Sequence, residues 1–192
     1  MSYLILGLLV FLGVHSVRIV AEDSRTAWRQ RMGPMAYKGI YTLMSLAGFA
    51  LIVWGFGVAR ETPQQLWNPP DGMRHLTALL TLVAFVFLSA AYVPRNAIKA
   101  RLHHPMVLSV KVWALAHLVT TGTVAHLILF GSFLLWSILC FRASRLRDQR
   151  DGITYAAGTW LGTLMTVLVG GLAWGLFAFY LHGWLIGIRP LG

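Results

Sequence analysis

Two histidines, His15 and His117, are the residues whose type and position most favour chemistry. Each lies inside a long apolar run, His15 in the run that opens the chain and His117 near the middle of a later one. An ionisable side chain at membrane depth is costly, so such a residue is a functional candidate. Imidazoles from two helices can hold a haem iron from both faces, or they can simply hydrogen-bond to backbone carbonyls of neighbouring helices. The residues alone leave both interpretations open.

Three further residues could complete a site around these histidines. Arg18 follows His15 by about one helical turn, and Trp113 precedes His117 by about one turn. Lys111 lies near the start of the run that carries His117. Its ammonium either extends to the inner membrane surface or, together with Arg18, neutralises the carboxylates of a haem.

His104, which directly precedes Pro105, is a separate candidate. It lies thirteen positions before His117, about 20 Å along a continuous helix. These two histidines therefore cannot share one metal ion. The other histidines lie towards the ends of apolar runs, where they can cap helices, carry protons or stay solvated: His75, His103, His126 and His182.

The sequence has none of the common catalytic signatures. It contains no phosphate-binding loop, no GxGxxG, no GxSxG and no HExxH. Its six carboxylates fall in predicted loops or at helix ends, which argues against a transporter that depends on a membrane-embedded Asp or Glu. The single cysteine, Cys140, excludes an intrachain disulfide and is interpreted as a packing residue.

The composition indicates that lipid is the main solvent. Hydrophobic residues make up 57% of the 192 residues and charged residues only 11%, whereas soluble domains are about 25% charged. The net charge of +10 falls in short segments between apolar runs. There it indicates membrane topology and contact with lipid headgroups rather than nucleic-acid binding.

Six apolar runs are candidates to cross a bilayer, which takes about 20 residues of helix. The boundary between the fourth and fifth runs is weak, but the two together would span a bilayer nearly twice. We therefore predict one all-α domain over residues 1–192, a polytopic bundle of about six transmembrane helices. The runs cover residues 3–21, 38–58, 75–93, 106–122, 124–142 and 157–181.

The segments between these runs are expected to be connectors. Residues 21–34 and 59–74 are predicted loops, and the stretch between Pro94 and Pro105 is a predicted half-buried connector at the interface. The last run is expected to be one helix with an interfacial tail that ends at Arg189 and Pro190. The opening run has no secretory cleavage signal, and we expect it to be retained as the first span.

The distribution of Lys and Arg predicts the orientation. The first, third and fifth breaks are rich in basic residues, whereas the opposite side has only Arg60, Arg74 and Arg189. Basic loops stay in the cytoplasm, which places both termini outside. The helices that carry His15 and His117 then enter from opposite sides, and their depths match best if the first helix extends to about Arg25.

A family resemblance is carried by the stretch from His104-Pro105 through VLSVKVWALAHL, which ends at His117, and by the LILFGSFLLWSIL run and the basic RASRLRDQR segment after it. With the opening LVFLGVHSVRI, these segments resemble the NnrU family of bacterial membrane proteins. The resemblance implies a multi-pass protein of the bacterial inner membrane. It also implies a link to nitrite and nitric oxide reduction in denitrification, and homology to the plant zeta-carotene isomerase.

That isomerase is a haem b membrane protein whose iron is held by two histidines. The resemblance therefore implies haem b with His15 and His117 as axial ligands, Arg18 and Lys111 as propionate partners and His104 as a further site residue. The role would be redox sensing, electron transfer or a haem-dependent isomerisation, with a hydrophobic substrate or a respiratory complex as partner. A bis-histidine iron has no open position, so substrate chemistry at the iron would require one ligand to leave.

Two other functions remain open. The first is a non-catalytic assembly or regulatory partner of a respiratory complex, in which the histidines serve helix packing. The second is an S-adenosylmethionine-dependent membrane methyltransferase, because His104-Pro105 resembles the RHP-type motif of those enzymes. His103 stands where that motif has arginine, and only Asp148 and Asp151 stand where it has downstream glutamates.

Overall fold

Helices make up almost all of the structure, a computed structural model that describes residues 1–191. Within those residues there is no strand, and two isolated β-bridges link loop residues. A π-helical segment, Phe177–Leu181, joins the last two helices of the described chain. The predicted all-α polytopic bundle is confirmed. The helices are α1 (Ser2–Val20), α2 (Glu22–Met32), α3 (Pro34–Ala59), α4 (Met73–Tyr92), α5 (Ala97–Leu102), α6 (Pro105–Thr120), α7 (Val124–Arg150), α8 (Trp160–Leu176) and α9 (His182–Ile186).

Five helical segments of the described chain are long and apolar enough to cross a membrane. They are α1, α3, α4, α7 and the continuous helix Trp160–Ile186. The sixth candidate, α6, has 16 residues, about 24 Å of helix against a hydrocarbon core of about 30 Å. It is short because Pro105 occupies its first turn and the extended backbone of Thr121 ends it.

The six apolar helices form a row. α1 packs against α3 on one side and α7 on the other, then α7 packs on α6, α6 on α4 and α4 on α8. Glycine allows the α1–α3 pair to approach closely, because a Cβ on Gly48 would lie 2.7 Å from the Phe11 amide nitrogen. The row places His15 on α1 and His117 on α6, with α7 between these two helices.

The turn between α6 and α7 is confirmed, and the loop after α3 holds it. The Leu66 amide donates to the Gly122 carbonyl over 2.7 Å, and the Val124 amide donates to the Gln64 carbonyl over 3.0 Å. Gly122 has no substitute here, because a Cβ at this position would run into the Trp67 carbonyl. These bonds fix the end of α6 and the start of α7 at the same end of the bundle.

Asn96 holds the corner between α4 and α5 at the opposite end of the bundle. Its side chain accepts a hydrogen bond from the Lys99 amide over 2.7 Å and so caps α5, and it donates to the Ala90 and Val93 carbonyls over 3.0 and 2.6 Å. The Thr159 amide, at the start of α8, donates to the neighbouring Arg95 carbonyl over 2.7 Å. The predicted connector between Pro94 and Pro105 is therefore a capped helical corner that also anchors α8.

Two predicted boundaries at the basic end are wrong. The first break contains the polar helix α2 rather than a loop, and α1 does not extend to Arg25 because the backbone breaks at Ala21 (φ −144°, ψ 50°). The helix restarts with Glu22 and Asp23 in its first turn, where carboxylates are favoured by the helix dipole. No buried residue holds α2 to the bundle, so local polar interactions account for it.

α7 is two turns longer than predicted and continues to Arg150. The segment after residue 142 contains no Gly or Pro before Gly152, so nothing in it stops the helix. The loop between α3 and α4 and the single last helix followed by a short tail agree with the predictions.

Candidate functional site

His15 lies on α1 among aromatic rings. Its Nδ1 lies 2.6 Å from the carbonyl oxygen of Phe11, one turn earlier. Its ring stacks on Phe11 at 4.3 Å between centroids and lies 5.2 Å from Tyr41 on α3 and 6.2 Å from Trp136 on α7. A carbonyl can only accept, so Nδ1 carries a proton, and in a neutral imidazole Nε2 is then the nitrogen free to bind a metal.

His117 on α6 is held in the same way. Its Nδ1 lies 2.9 Å from the Trp113 carbonyl oxygen, again one turn earlier. Its ring stacks on Phe130 of α7 at 4.5 Å, and the Trp113 ring lies 5.3 Å away. Metal-bound histidines usually donate their second ring nitrogen to such a carbonyl, so both imidazoles are in the tautomer that a metal requires.

The two imidazoles are nevertheless at different levels of the bundle. Phe11 and Trp113 both contact the ring of Phe133, at 5.9 and 5.5 Å. From that level His15 lies one turn further along α1 and His117 one turn further along α6. α1 runs parallel to α7, whereas α6 runs antiparallel to it, so the two turns add up to a separation of about 12 Å along the bundle.

The donor chemistry of this pair fits a haem, but its spacing does not. Two imidazole nitrogens that share a metal lie about 4 Å apart, twice a bond length of about 2 Å. Here the rings of Phe11, Phe133 and Trp113 occupy the level between the histidines. Bis-histidine ligation stays a prediction, and it requires these rings to move.

A cleft of about 390 Å³ adjoins His15 between α1, α2 and α3. The predicted site residue Arg18 lies in its wall, and the wall also contains residues that sequence reasoning did not assign to the site, among them basic residues of α2. α2 was predicted to be a loop, which is why they were missed. The full lining is Val14, His15, Arg18, Arg25, Arg29, Tyr37, Lys38 and Tyr41.

Arg18 and Lys111 do not face a common ligand in this structure. The Arg18 Nε lies 3.6 Å from the Glu22 carboxylate, at the junction of α1 and α2. Lys111 lies on α6, with its Nζ 6.0 Å from the centre of the Phe141 ring of α7. Each position agrees with one reading of the sequence: Arg18 can reach an anion in the cleft, and Lys111 points towards the interface.

His104 belongs to a separate polar cluster at the basic end. Its Nε2 lies 2.9 Å from an Asp148 carboxylate oxygen, and Nδ1 of His103 lies 3.6 Å from the same oxygen. The Tyr155 hydroxyl donates to that carboxylate over 2.8 Å. Burial and the bond to Asp148 raise the pKa of Tyr155 to about 12, and burial lowers the pKa of His104 against the opposing effect of Asp148.

Sequence reasoning placed His104 as a candidate and named Asp148 only as an acidic residue downstream of the RHP-type motif, and it did not bring Tyr155 to the cluster. The available signal was the absence of helix breakers after residue 142, which extends α7 far enough to carry Asp148. The cluster joins the start of α6 to the end of α7.

The remaining histidines make local contacts. His126 Nδ1 lies 2.6 Å from the hydroxyl of Thr123, the residue that caps α7, and His182 Nδ1 lies 2.7 Å from the Ile188 carbonyl oxygen. Within residues 1–191, no group of three or more His, Cys, Asp or Glu side chains is arranged to hold a metal ion. A bis-histidine haem site needs only two protein ligands.

Comparison with protein families gives one relevant match. The family model described as NnrU protein matches residues 3–190. No curated protein and no solved structure matches the chain. The helices, the long apolar spans and the polar corner at His104 all lie inside the matched region, which covers nearly the whole sequence, so the chain is a multi-pass membrane protein that belongs to the NnrU family.

Proposed function

We propose that this protein binds haem b in the bacterial inner membrane, with His15 and His117 as its axial ligands once the rings of Phe11, Phe133 and Trp113 have moved from the level between them. The observation that carries the proposal is the identical anchoring of the two imidazoles. Each Nδ1 is held by the carbonyl of the residue one turn earlier, 2.6 Å away for His15 and 2.9 Å away for His117. That contact orients the ring and leaves Nε2 able to bind a metal.

The neighbouring residues have distinct roles in this proposal. The cleft beside His15 provides Arg18 for an anionic edge of the ligand, since guanidinium groups pair well with carboxylates. The Phe130 ring stacked on His117 excludes water from that imidazole. A haem iron, when bound, supplies one-electron redox chemistry. The family resemblance supports a role in redox sensing, electron transfer or isomerisation.

The test is the dithionite-reduced minus oxidised absorption spectrum of detergent-purified protein supplied with haem. Wild type should show a six-coordinate, low-spin b-type spectrum. His15→Ala and His117→Ala should each lose it, whereas His75→Ala, at an exposed histidine, should keep it. A spectrum lost only in His15→Ala would indicate a haem in the cleft with one histidine ligand, and a colourless wild type would refute haem binding.

A second function is favoured by the spacing of the histidines. Because aromatic rings fill the level between His15 and His117, the packing there needs no cofactor to fill it. A haem-free member of the family would serve as an assembly or regulatory partner of a respiratory complex. Wild-type protein that stays colourless in the same experiment, and that remains in a respiratory complex through gentle purification, would favour this function.

A further inference from the structure

The cleft between α1, α2 and α3 collects positive charge from three helices. Arg18 comes from α1, Arg25 and Arg29 from α2, and Lys38 from α3. No Asp or Glu is among the residues that line it. Like charges gathered in one concave site repel one another, which favours a bound anion as their counter-charge.

Nearby carboxylates do not balance this charge. Glu22 lies 3.6 Å from Arg18, but the same carboxylate also lies 3.8 Å from Arg147 and 4.0 Å from Arg150. Within residues 1–191, the ion pairs leave out Arg25, Arg29 and Lys38. The Arg25 guanidinium lies over the Tyr37 ring at 5.7 Å, which orients it without neutralising it.

The position of the cleft points to an amphipathic ligand. It lies where α1 ends and α3 begins, the level at which the spans meet the basic side. His15 and Tyr41 lie closer to the membrane centre than the cations do. On α3 the next exposed side chains towards the membrane centre are mostly apolar, among them Ile40 at 55% and Leu43 at 68% exposure, with the polar Thr42 between these two. A ligand with an anionic head and an apolar body matches this order.

We propose that this cleft binds the phosphate head of an anionic phospholipid from the leaflet on the basic side, with its acyl chains against the exposed apolar side chains of α3. Arg25, Arg29 and Lys38 contact the phosphate, and the Tyr37 and Tyr41 rings lie beside the glycerol region. The planar guanidinium groups of the arginines give directional hydrogen bonds to phosphate oxygens, and cations near a membrane surface attract anionic lipids. The cleft also contains His15 and Arg18, which the haem proposal uses, so lipid binding is measured on haem-free protein.

The experiment measures lipid retention by native mass spectrometry of haem-free, detergent-purified protein. Phosphatidylglycerol and phosphatidylcholine with identical acyl chains are supplied at equal concentration. Wild type should retain several-fold more phosphatidylglycerol. The triple variant R25Q/R29Q/K38Q should lose this preference. α2 has no buried residue, so the two changes on it leave the core untouched, and the exposed R29Q single variant should show a partial loss.

A matched control removes three exposed basic residues on the same side but outside the cleft. The variant R31Q/R101Q/R142Q changes the net charge by the same amount and should keep the preference. Equal loss in both triple variants would overturn the proposal in favour of general surface attraction. Equal retention of the two lipids by wild type would overturn it as well.

A third arm separates a lipid head from a free anion. Inorganic phosphate, compared with chloride at the same ionic strength, should not displace phosphatidylglycerol, because only the lipid has chains that lie against α3. Displacement by phosphate would overturn the lipid assignment. Lipid retention is measured as mass and haem binding as absorption, so the failure of one proposal is distinguishable from the failure of the other.

Discussion

At the residue scale, local helix geometry explains the state of both candidate ligands. A histidine in a helix can reach the carbonyl four positions earlier, and both His15 and His117 do so. The sequence alone identified two histidines in spans but not their tautomer, because the carbonyl that each contacts belongs to its own helix rather than to a neighbouring one. It could not show which rings pack on them, because those come from other helices.

Asn96 carries the prediction that belongs to this scale. The side chain is 2% exposed and satisfies two carbonyls and one amide at the α4–α5 corner. Asn96→Ala leaves these groups without their partner, at about 1–3 kcal/mol for a buried unsatisfied group. We expect a clear fall in the apparent melting temperature in detergent. Asn68→Ala, at an exposed position in the loop after α3, should melt like wild type. Equal melting of the two variants would contradict this account.

At the element scale, the decisive feature is the extension of α7 beyond the predicted end of its span. The added turns carry Asp148 to the His103-His104 corner and Tyr155 follows in the next loop. The same extension brings Arg147 to the end of α1, where its guanidinium donates to the Arg18 carbonyl over 3.2 Å. A run of basic residues was interpreted as a loop because charge was given more weight than the absence of helix breakers.

The corner at His104 predicts how stability depends on pH. Burial holds the pKa of His104 below its ordinary value of 6.5, so the folded protein binds this proton less readily than the unfolded chain does. The stabilisation is present above pH 6.5 and is lost as the pH falls through the lowered pKa. The apparent melting temperature should therefore fall between about pH 7.5 and 5.5.

His104→Gln isolates this contribution. The variant removes the titrating group, so its melting temperature should depend less on pH than that of wild type over the same range. The matched control is His75→Gln, because His75 is exposed at the start of α4. It should keep the wild-type dependence. Identical pH profiles for wild type and His104→Gln would exclude His104 as the cause.

At the scale of the whole molecule, contacts at the two ends show how α6 crosses the bundle. The His104–Asp148 contact ties its start to the end of α7, and the loop after α3 holds the turn between its end and α7 through the Leu66–Gly122 and Gln64–Val124 hydrogen bonds. α6 therefore runs the length between two polar ends although it has only 16 residues. Six crossings with basic loops on one side predict that both termini lie outside.

Accessibility of introduced cysteines tests this orientation. In a Cys140→Ser background, Gln64→Cys lies in the loop after α3 and Gln149→Cys in the last turn of α7, both at exposed positions. A membrane-impermeant maleimide applied to spheroplasts should label Gln64→Cys. Gln149→Cys should react only after permeabilisation. The reverse pattern would invert the orientation, and labelling of both in intact spheroplasts would contradict the crossing of α7.

The sequence by itself determined that lipid is the main solvent, that the fold is all-α, that six apolar elements are present, and that two of them contain histidines. Each of these follows from composition and from hydrogen bonding within a single helix, because a backbone in lipid has no other way to satisfy its polar groups. The tertiary structure decided the order of the helices, the cationic cleft, the pairing of His104 with Asp148 and the different levels of His15 and His117. These depend on the relative shift of separate helices, which is set by side-chain packing between residues far apart in the chain.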